Sequence, residues 1–274
     1  MSYDLFLSAG PGKKLSKKTF SDYFGQRARY NVGNEQAVYQ NEDTGVYFIF
    51  DEPEDGIVAF NLNYLRPHVF GLEAALELEQ FSEAFAATVG DPQGFMEEGA
   101  GFQTELFLQG WNEGNQMAYG PMLKEQSEPI YCWPSQRIRE IWDWNYRRPS
   151  EEDQQAEGLF VPSIFAVGVD GVAKSVAIWP PDCAILLPET DFLLVPLTQA
   201  DQPGADMALV DWTEVAPVVS AYQQRDSGLN RYRLRFEQWP EPIAEFLTKQ
   251  RTAADSINGI SLDQVLDQEL VEAS

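Results

Sequence analysis

A single histidine, His68, is all that the chain offers to imidazole chemistry. It sits in Arg66-Pro67-His68-Val69-Phe70, between a strand end and a helix start, and no Gly-x-Ser-x-Gly elbow accompanies it, so a structural or surface role is expected. Cysteine is almost as scarce. Cys132 and Cys183 are too few for a disulfide framework, and each borders apolar sequence, as core thiols do in a reducing, cytoplasmic setting. With no Cys-x-x-Cys and no His-Glu-x-x-His, a zinc site is disfavoured, and no glycine-rich phosphate loop is present. Neither a metal nor an organic cofactor is expected. The longest apolar stretches, near Phe165 to Val169 and Ala184 to Leu187, fall far short of a membrane span. The first residues reach Gly10 and Pro11 before an apolar run long enough for a signal sequence can form.

Positive charge is the other shortage. The chain has 19 basic residues against 43 acidic ones, a formal charge of −24. Such a charge repels nucleic acid and anionic membrane and draws in cationic partners. Hydrophobic residues make up 44% of the chain, enough for a packed core, so the acidity does not imply disorder. The imbalance is uneven. Residues 1–29 carry a net of +4 through Lys13, Lys14, Lys17, Lys18, Arg27 and Arg29, residues 30–136 a net of −16, and residues 137–274 a net of −12. The acidic block reads either as a solvated face that keeps the protein in solution or as a face for a basic partner. The basic run reads as a solvated helix start or an internal partner for that block.

Tyr3 to Leu7 predicts a strand and residues 16–28 an amphipathic helix capped by Ser16. Gln36 to Gln40, Val46 to Phe50 and Ile57 to Leu65, separated by turn-forming segments, predict an antiparallel meander. Its middle strand is apolar on both faces and is expected to be central and covered on each side. Helices are expected over Gly71 to Val89, residues 103–119 and Gln136 to Arg148, the last bounded by Pro134 and Pro149. The polar run from Ser150 to Gln155 is the candidate boundary. Beyond it, strands are expected at Leu159 to Val169, Val172 to Trp179, Cys183 to Leu187, Phe192 to Leu197 and Arg231 to Phe236. Partial helix is expected over Asp206 to Tyr222, and two helices near 240–251 and 261–272 finish the chain. The expected class is α+β, with an acidic subdomain over 1–150 (helix, meander and covering helices) and a strand-rich α+β subdomain over 158–274.

No motif names a reaction. The acids Asp51, Glu52, Glu54 and Asp55 cluster, but their spacing is not that of an EF-hand loop, and Pro53 shapes a turn there. Trp111, Glu113 and Tyr119 share one helical stretch, and Glu97 and Glu98 precede it. Aromatic anchors ringed by acids suit a basic protein surface. The candidate partner-binding residues are therefore Asp51, Glu52, Glu54, Asp55, Glu97, Glu98, Trp111 and Glu113. Trp142 and Trp144 point to different sides of their helix, which reads either as one of them more exposed than core packing needs or as both packed between helices and sheet.

The layout from Tyr3-Asp4-Leu5-Phe6-Leu7 through Phe20-Ser21-Asp22-Tyr23-Phe24 to Asn41-Glu42-Asp43-Thr44-Gly45-Val46-Tyr47-Phe48-Ile49-Phe50-Asp51 resembles bacterial immunity proteins encoded beside secreted toxins, of the type VI or contact-dependent kind. The resemblance lies in layout and composition over roughly the first 70 residues and carries over no functional residue. It implies a cytoplasmic, non-catalytic protein that neutralises a toxin, often a basic nuclease. Two alternatives stand beside it: a hydrolase using paired carboxylates on a carbohydrate, with tryptophan for sugar stacking, and a structural assembly subunit.

Overall fold

The structure, a computed structural model, describes residues 1–33, 35–125, 130–154, 158–180, 183–196, 207–224, 231–234, 240–249 and 258–274. Its class is α+β. The chain divides into two compact units: Met1–Ile130 with Leu266–Ser274, and Tyr131–Val265. The division thus precedes the helix Ser135–Gln154, whereas the polar run that reads as a linker in sequence forms, as far as Gln154, the end of that helix.

The first unit is built on a seven-stranded sheet. Its strands are β1 (Ser2–Ser8), β2 (Tyr30–Gly33), β3 (Gln36–Asn41), β4 (Val46–Asp51), β5 (Ile57–Asn63), β6 (Thr88–Gly90) and β7 (Ala100–Gly101), in the order β2-β3-β4-β5-β1-β6-β7, all pairs antiparallel. Its helices are α1 (Lys17–Phe24), α2 (Val69–Phe85), α3 (Thr104–Glu125) and, from the returning C-terminal segment, α7 (Gln268–Glu272). Ser16 caps α1 in a reciprocal capping box with Thr19, and the helix stops at Gly25, short of residue 28. Strand β2 has no counterpart in the sequence reading.

Strand β4 lies inside the sheet, as its apolar run predicts, but only one of its faces is sealed. Val46, Phe48 and Phe50 are fully buried, and the Phe50 ring meets Phe24 of α1 at 4.9 Å and Phe81 of α2 at 5.4 Å. On the same face Phe107 of α3 meets Tyr3 of β1 at 5.5 Å. Each such buried ring contributes about 2 kcal/mol of transfer free energy. On the opposite face Tyr47 and Ile49 are only half-buried. The uneven packing follows from the helices: α1, α2 and α3 rest on the Phe48/Phe50 side, and only Phe70 at the start of α2 reaches across to Tyr47, at 5.5 Å.

Helix α2 ends at Ala86, which adopts a left-handed φ of 47°, and Thr88 to Gly90 then form β6. Val89, which fits the helical stripe in sequence, instead pairs with Leu7 of β1. A buried valine satisfies either period. Helix α3 tolerates Gly110 and Gly114 because aromatic side chains lie against its backbone. A Cβ at Gly114 would sit 2.3 Å from the Tyr64 hydroxyl, and one at Gly110 would sit 2.6 Å from that of Tyr3. Gly114→Ala is therefore expected to destabilise the protein by about 1–3 kcal/mol despite the better helix propensity of alanine. Thermal denaturation checks this, and a stabilised variant would contradict the packing.

The second unit opens with β8 (Tyr131–Trp133) and α4 (Ser135–Gln154), which continues through Pro149. There follow β9 (Ile164–Val169), β10 (Val172–Ile178), β11 (Ile185–Pro188), β12 (Phe192–Pro196), β13 (Met207–Asp211), α5 (Trp212–Val219), β14 (Gln223–Gln224), β15 (Arg231–Leu234), α6 (Glu241–Thr248) and β16 (Asn258–Ile260). The chain then passes through β17 (Val265–Asp267) into α7, where the sequence predicts one helix from 261. Residues 235, 236, 250 and 251 of the expected strand and helix lie outside the described residues. One sheet has the order β13-β12-β10-β9-β16, with β10 and β12 parallel, and a second has the order β11-β15-β14. The β9–β10 hairpin turns on Asp170 and Gly171, both at positive φ, as an Asp-Gly pair requires. Met207 to Asp211, expected as part of a helix, pairs with β12. Among the described residues no helix is long and apolar enough to cross a membrane.

A polar staple joins β10 to the start of β12. Ser175 donates from its hydroxyl to Asp191 at 2.6 Å and from its backbone N–H at 2.8 Å, and Arg137 donates to Ser175 Oγ at 2.9 Å. Burial pushes the Asp191 carboxyl up. The Ser175 bonds and the Lys174 and Arg137 charges outweigh it and hold the group below its ordinary value. A carboxyl depressed in the folded state stabilises the protein above its unfolded pKa of about 3.9 and loses that effect as pH falls through the lower folded value. Asp191→Asn is thus expected to be less stable than the wild type at neutral pH, with the gap closing below about pH 4. Thermal unfolding across that range checks the prediction, and a constant gap would contradict it.

Candidate functional site

The turn between β4 and β5 gathers four of the acids singled out in sequence. Glu54 and Ile57 close it through reciprocal backbone bonds of 3.0 and 2.9 Å around Asp55 and Gly56, both at positive φ. The residue pair Asp-Gly fits such a two-residue turn. Asp51, at the end of β4, accepts from Gln36 of β3 at 2.9 Å and from Asn61 of β5 at 3.3 Å. Glu35 joins the group from β3's approach, since Glu52 N–H donates to its carbonyl at 2.7 Å. Glu35 itself carries a left-handed φ of 64°. Glu35, Glu54 and Asp55 are exposed, while Asp51 and Glu52 are half-buried. Glu52 is bridged by Lys17, so the basic run acts in part as the internal partner that the charge map allows. Likewise Lys18 pairs with Asp22, and Arg27 with Glu77 of α2 at 2.6 Å.

The other sequence candidates do not join this cluster. Glu97 and Glu98 are exposed in the loop between β6 and β7, with β5, β1 and β6 separating them from β4. Glu113 is exposed on α3, where its carboxylate accepts from Gln109 at 2.9 Å. Trp111 requires correction. It is fully buried in α3, with its ring 3.1 Å from where a Cβ on Gly71 of α2 would lie, and it has no surface to offer a partner. Gly71 is what lets the indole pack so closely. On α4 the two tryptophans differ in burial, Trp144 being the more exposed, yet both are packed. Trp142 is buried and stacks on Tyr146, and half-buried Trp144 donates from Nε1 to the Pro162 carbonyl at 2.8 Å. Trp133, Trp179 and Trp212 are buried too, so these tryptophans provide no platform for sugar stacking.

Two arrangements escaped the sequence. Glu73 of α2 is fully buried, and its carboxylate accepts from Tyr39 at 2.6 Å, Asn41 at 2.6 Å and Thr44 at 2.9 Å. One helical turn on, Glu77 accepts from Tyr30 at 3.0 Å and pairs with Arg27, which also reaches Gln80. Burial, and then these carboxylates, push the Tyr39 and Tyr30 hydroxyls far above their ordinary value. Burial pushes Tyr23, beneath the Arg27 guanidinium, up to about 12. Above this network, at the edge strand β2, lies an open hollow of about 520 Å3 lined by Arg29, Tyr30, Asn31, Val38, Gln40, Asn41, Glu42 and Asp43. Arg29 sits there at a φ of 71°, a conformation that a non-glycine residue adopts only when its neighbours hold it.

The second arrangement involves His68. Asp267, fully buried on the returning C-terminal segment, accepts from the His68 backbone N–H at 2.6 Å and faces His68 Nδ1 at 2.5 Å. It thereby caps the start of α2 with a carboxylate. The preceding corner is strained, with Leu65 at a φ of 62°. Buried Asn115 holds it by bonds of 2.7 Å to Leu65 N and to Arg66 O, and Tyr119 adds another of 2.9 Å to Arg66 O. The role of His68 is structural in this geometry. A signal for this second arrangement would have required knowing that residues 199 positions apart meet, and for the first that residues 29 to 50 apart do.

Chemically, the first unit offers fixed negative charge and polar edges. Among the described residues no group of three or more His, Cys, Asp or Glu side chains is placed to hold a metal ion. The unit carries 23 acids and 8 basic residues, a net of −15, leaving −9 for the second unit. Among the described residues Glu35, Glu54, Asp55, Glu97 and Glu98 enter no ion pair. No protein family model, curated protein or solved structure matches this chain.

Proposed function

We propose that the chain is a non-catalytic acidic binding protein, a cytoplasmic immunity protein that binds and neutralises a basic toxin such as a nuclease effector delivered by a neighbouring cell. The observation that carries this reading is the exposed charge at the β4–β5 turn: Glu54 and Asp55 stand exposed and enter no ion pair among the described residues, Glu35 beside them only shares the field of Lys17, and the unit has a net charge of −15. Carboxylates held on two tight turns lose little freedom when a lysine or arginine of the toxin meets them. Those same cations otherwise grip phosphate, so covering them disables a nuclease. The test is co-expression with the product of the adjacent gene. A stoichiometric complex on size exclusion, with loss of the toxin's activity, supports the reading, and two separately eluting proteins would overturn it.

A further inference from the structure

The open face of the seven-stranded sheet carries two large apolar side chains where strand alternation calls for polar ones. Phe6 of β1 is 44% exposed and Ile57 of β5 is 42% exposed. They stand on the same face, because Phe6 pairs with Ala59 and Ser8 pairs with Ile57 in the β1–β5 register. That places the two side chains diagonally adjacent, within reach of each other. Small neighbours leave the phenyl ring standing: Ala59 is on one side and Gly90 of β6 on the other. The helices α1, α2 and α3 pack on the opposite face. Around this pair lie Asp4 on β1, Asp51 on β4, and Glu54 and Asp55 in the turn that leads into Ile57.

An apolar centre with a charged rim is the anatomy of a protein interface. The sign of the rim decides the occupant. A second copy of this chain, with its net −24, is repelled by the same acids, whereas a basic surface is attracted. Resting on the reading of the chain as a binder of cationic protein, we infer that the open sheet face is the docking surface, with Phe6 and Ile57 as its anchor. The partner it fits is a basic protein that presents an apolar side chain between lysines or arginines. The anchor thus comes from the sheet, not from Trp111.

The test uses the full chain and two probes of matched lysine content, poly-L-lysine and a random lysine–phenylalanine copolymer. The wild type is expected to bind the copolymer about tenfold more tightly than polylysine, the effect of one well-placed apolar anchor. Phe6→Ser with Ile57→Thr is expected to abolish that preference and leave polylysine binding unchanged, while Phe6→Leu keeps most of it. Ile57→Thr alone, at an exposed strand end, gives a second reading should the double variant lose its circular dichroism spectrum. Polylysine binding with no copolymer preference, or a preference untouched by the substitutions, would overturn the anchor and leave the acidic reading standing. Self-association that Phe6→Ser abolishes would overturn the choice of partner. Failure of both polymers to bind would overturn the acidic reading itself.

Discussion

Glu73→Ala is expected to lower the unfolding free energy by about 3–5 kcal/mol, the cost of stripping the partner from several buried polar groups. The wild-type carboxylate accepts from Tyr39, Asn41 and Thr44, all three buried. Alanine leaves those donors with neither water nor an acceptor and opens a hole beside them. That is a large fraction of the about 5–15 kcal/mol that holds a domain folded, and it would leave one at the low end of that range partly unfolded. Glu73→Gln should cost less. Its carbonyl oxygen can still accept from Tyr39 and Asn41, and its amide can donate to the Thr44 hydroxyl, which rotates to suit. Urea unfolding of both variants checks the order, and a Glu73→Ala variant within about 1 kcal/mol of the wild type would show that the network adds little.

Reversing charge at the β4–β5 turn is expected to act chiefly on association. Glu35→Lys, Glu54→Lys and Asp55→Lys together change exposed side chains that hold no ion pair among the described residues. Stability should fall by no more than about 1 kcal/mol, chiefly because lysine fits the positive φ of Asp55 less well than aspartate does. The rate of association with a basic partner should fall by about 100-fold at low salt, within the range by which steering raises on-rates. The dissociation rate should change less, because steering acts on the encounter before close contacts form.

Strong, local patterns in the sequence survived into the fold. The run Val46 to Phe50 gave an interior strand, Asp170-Gly171 a hairpin turn, and Ser16 a helix cap. Local pattern failed where a residue suits two structures. Val89 fits a helical stripe and a strand equally well, and Leu262 to Asp267 reads as helix until β17 interrupts it. It also failed for uneven burial. Tyr47 and Ile49 are apolar, yet the helices pack mainly on the other face, and only the start of α2 reaches Tyr47 through Phe70.

The candidate site was legible in part for the same reason. Asp51, Glu52, Glu54 and Asp55 are contiguous enough that any turn brings them together, but Glu35 joins them only through strand pairing. Trp111 looked like an anchor beside Glu113, and the absence of a side chain on Gly71 is what buries it. Nothing local to Glu73 distinguishes it from the other acids of α2. Its partners come from a separate stretch of chain, so its burial is a tertiary fact. Phe6 was read as one apolar residue of a strand. Its exposure follows from which face the helices cover.

Capture of a cationic protein by an acidic surface depends on long-range charge. Stopped-flow association with the product of the adjacent gene, followed from about 20 mM to about 0.5 M sodium chloride, tests it most directly, since screening shortens the reach of surface charge across that range. The association rate is expected to fall steeply with salt and the dissociation rate to rise only modestly. A tight complex whose association rate ignores ionic strength would contradict it.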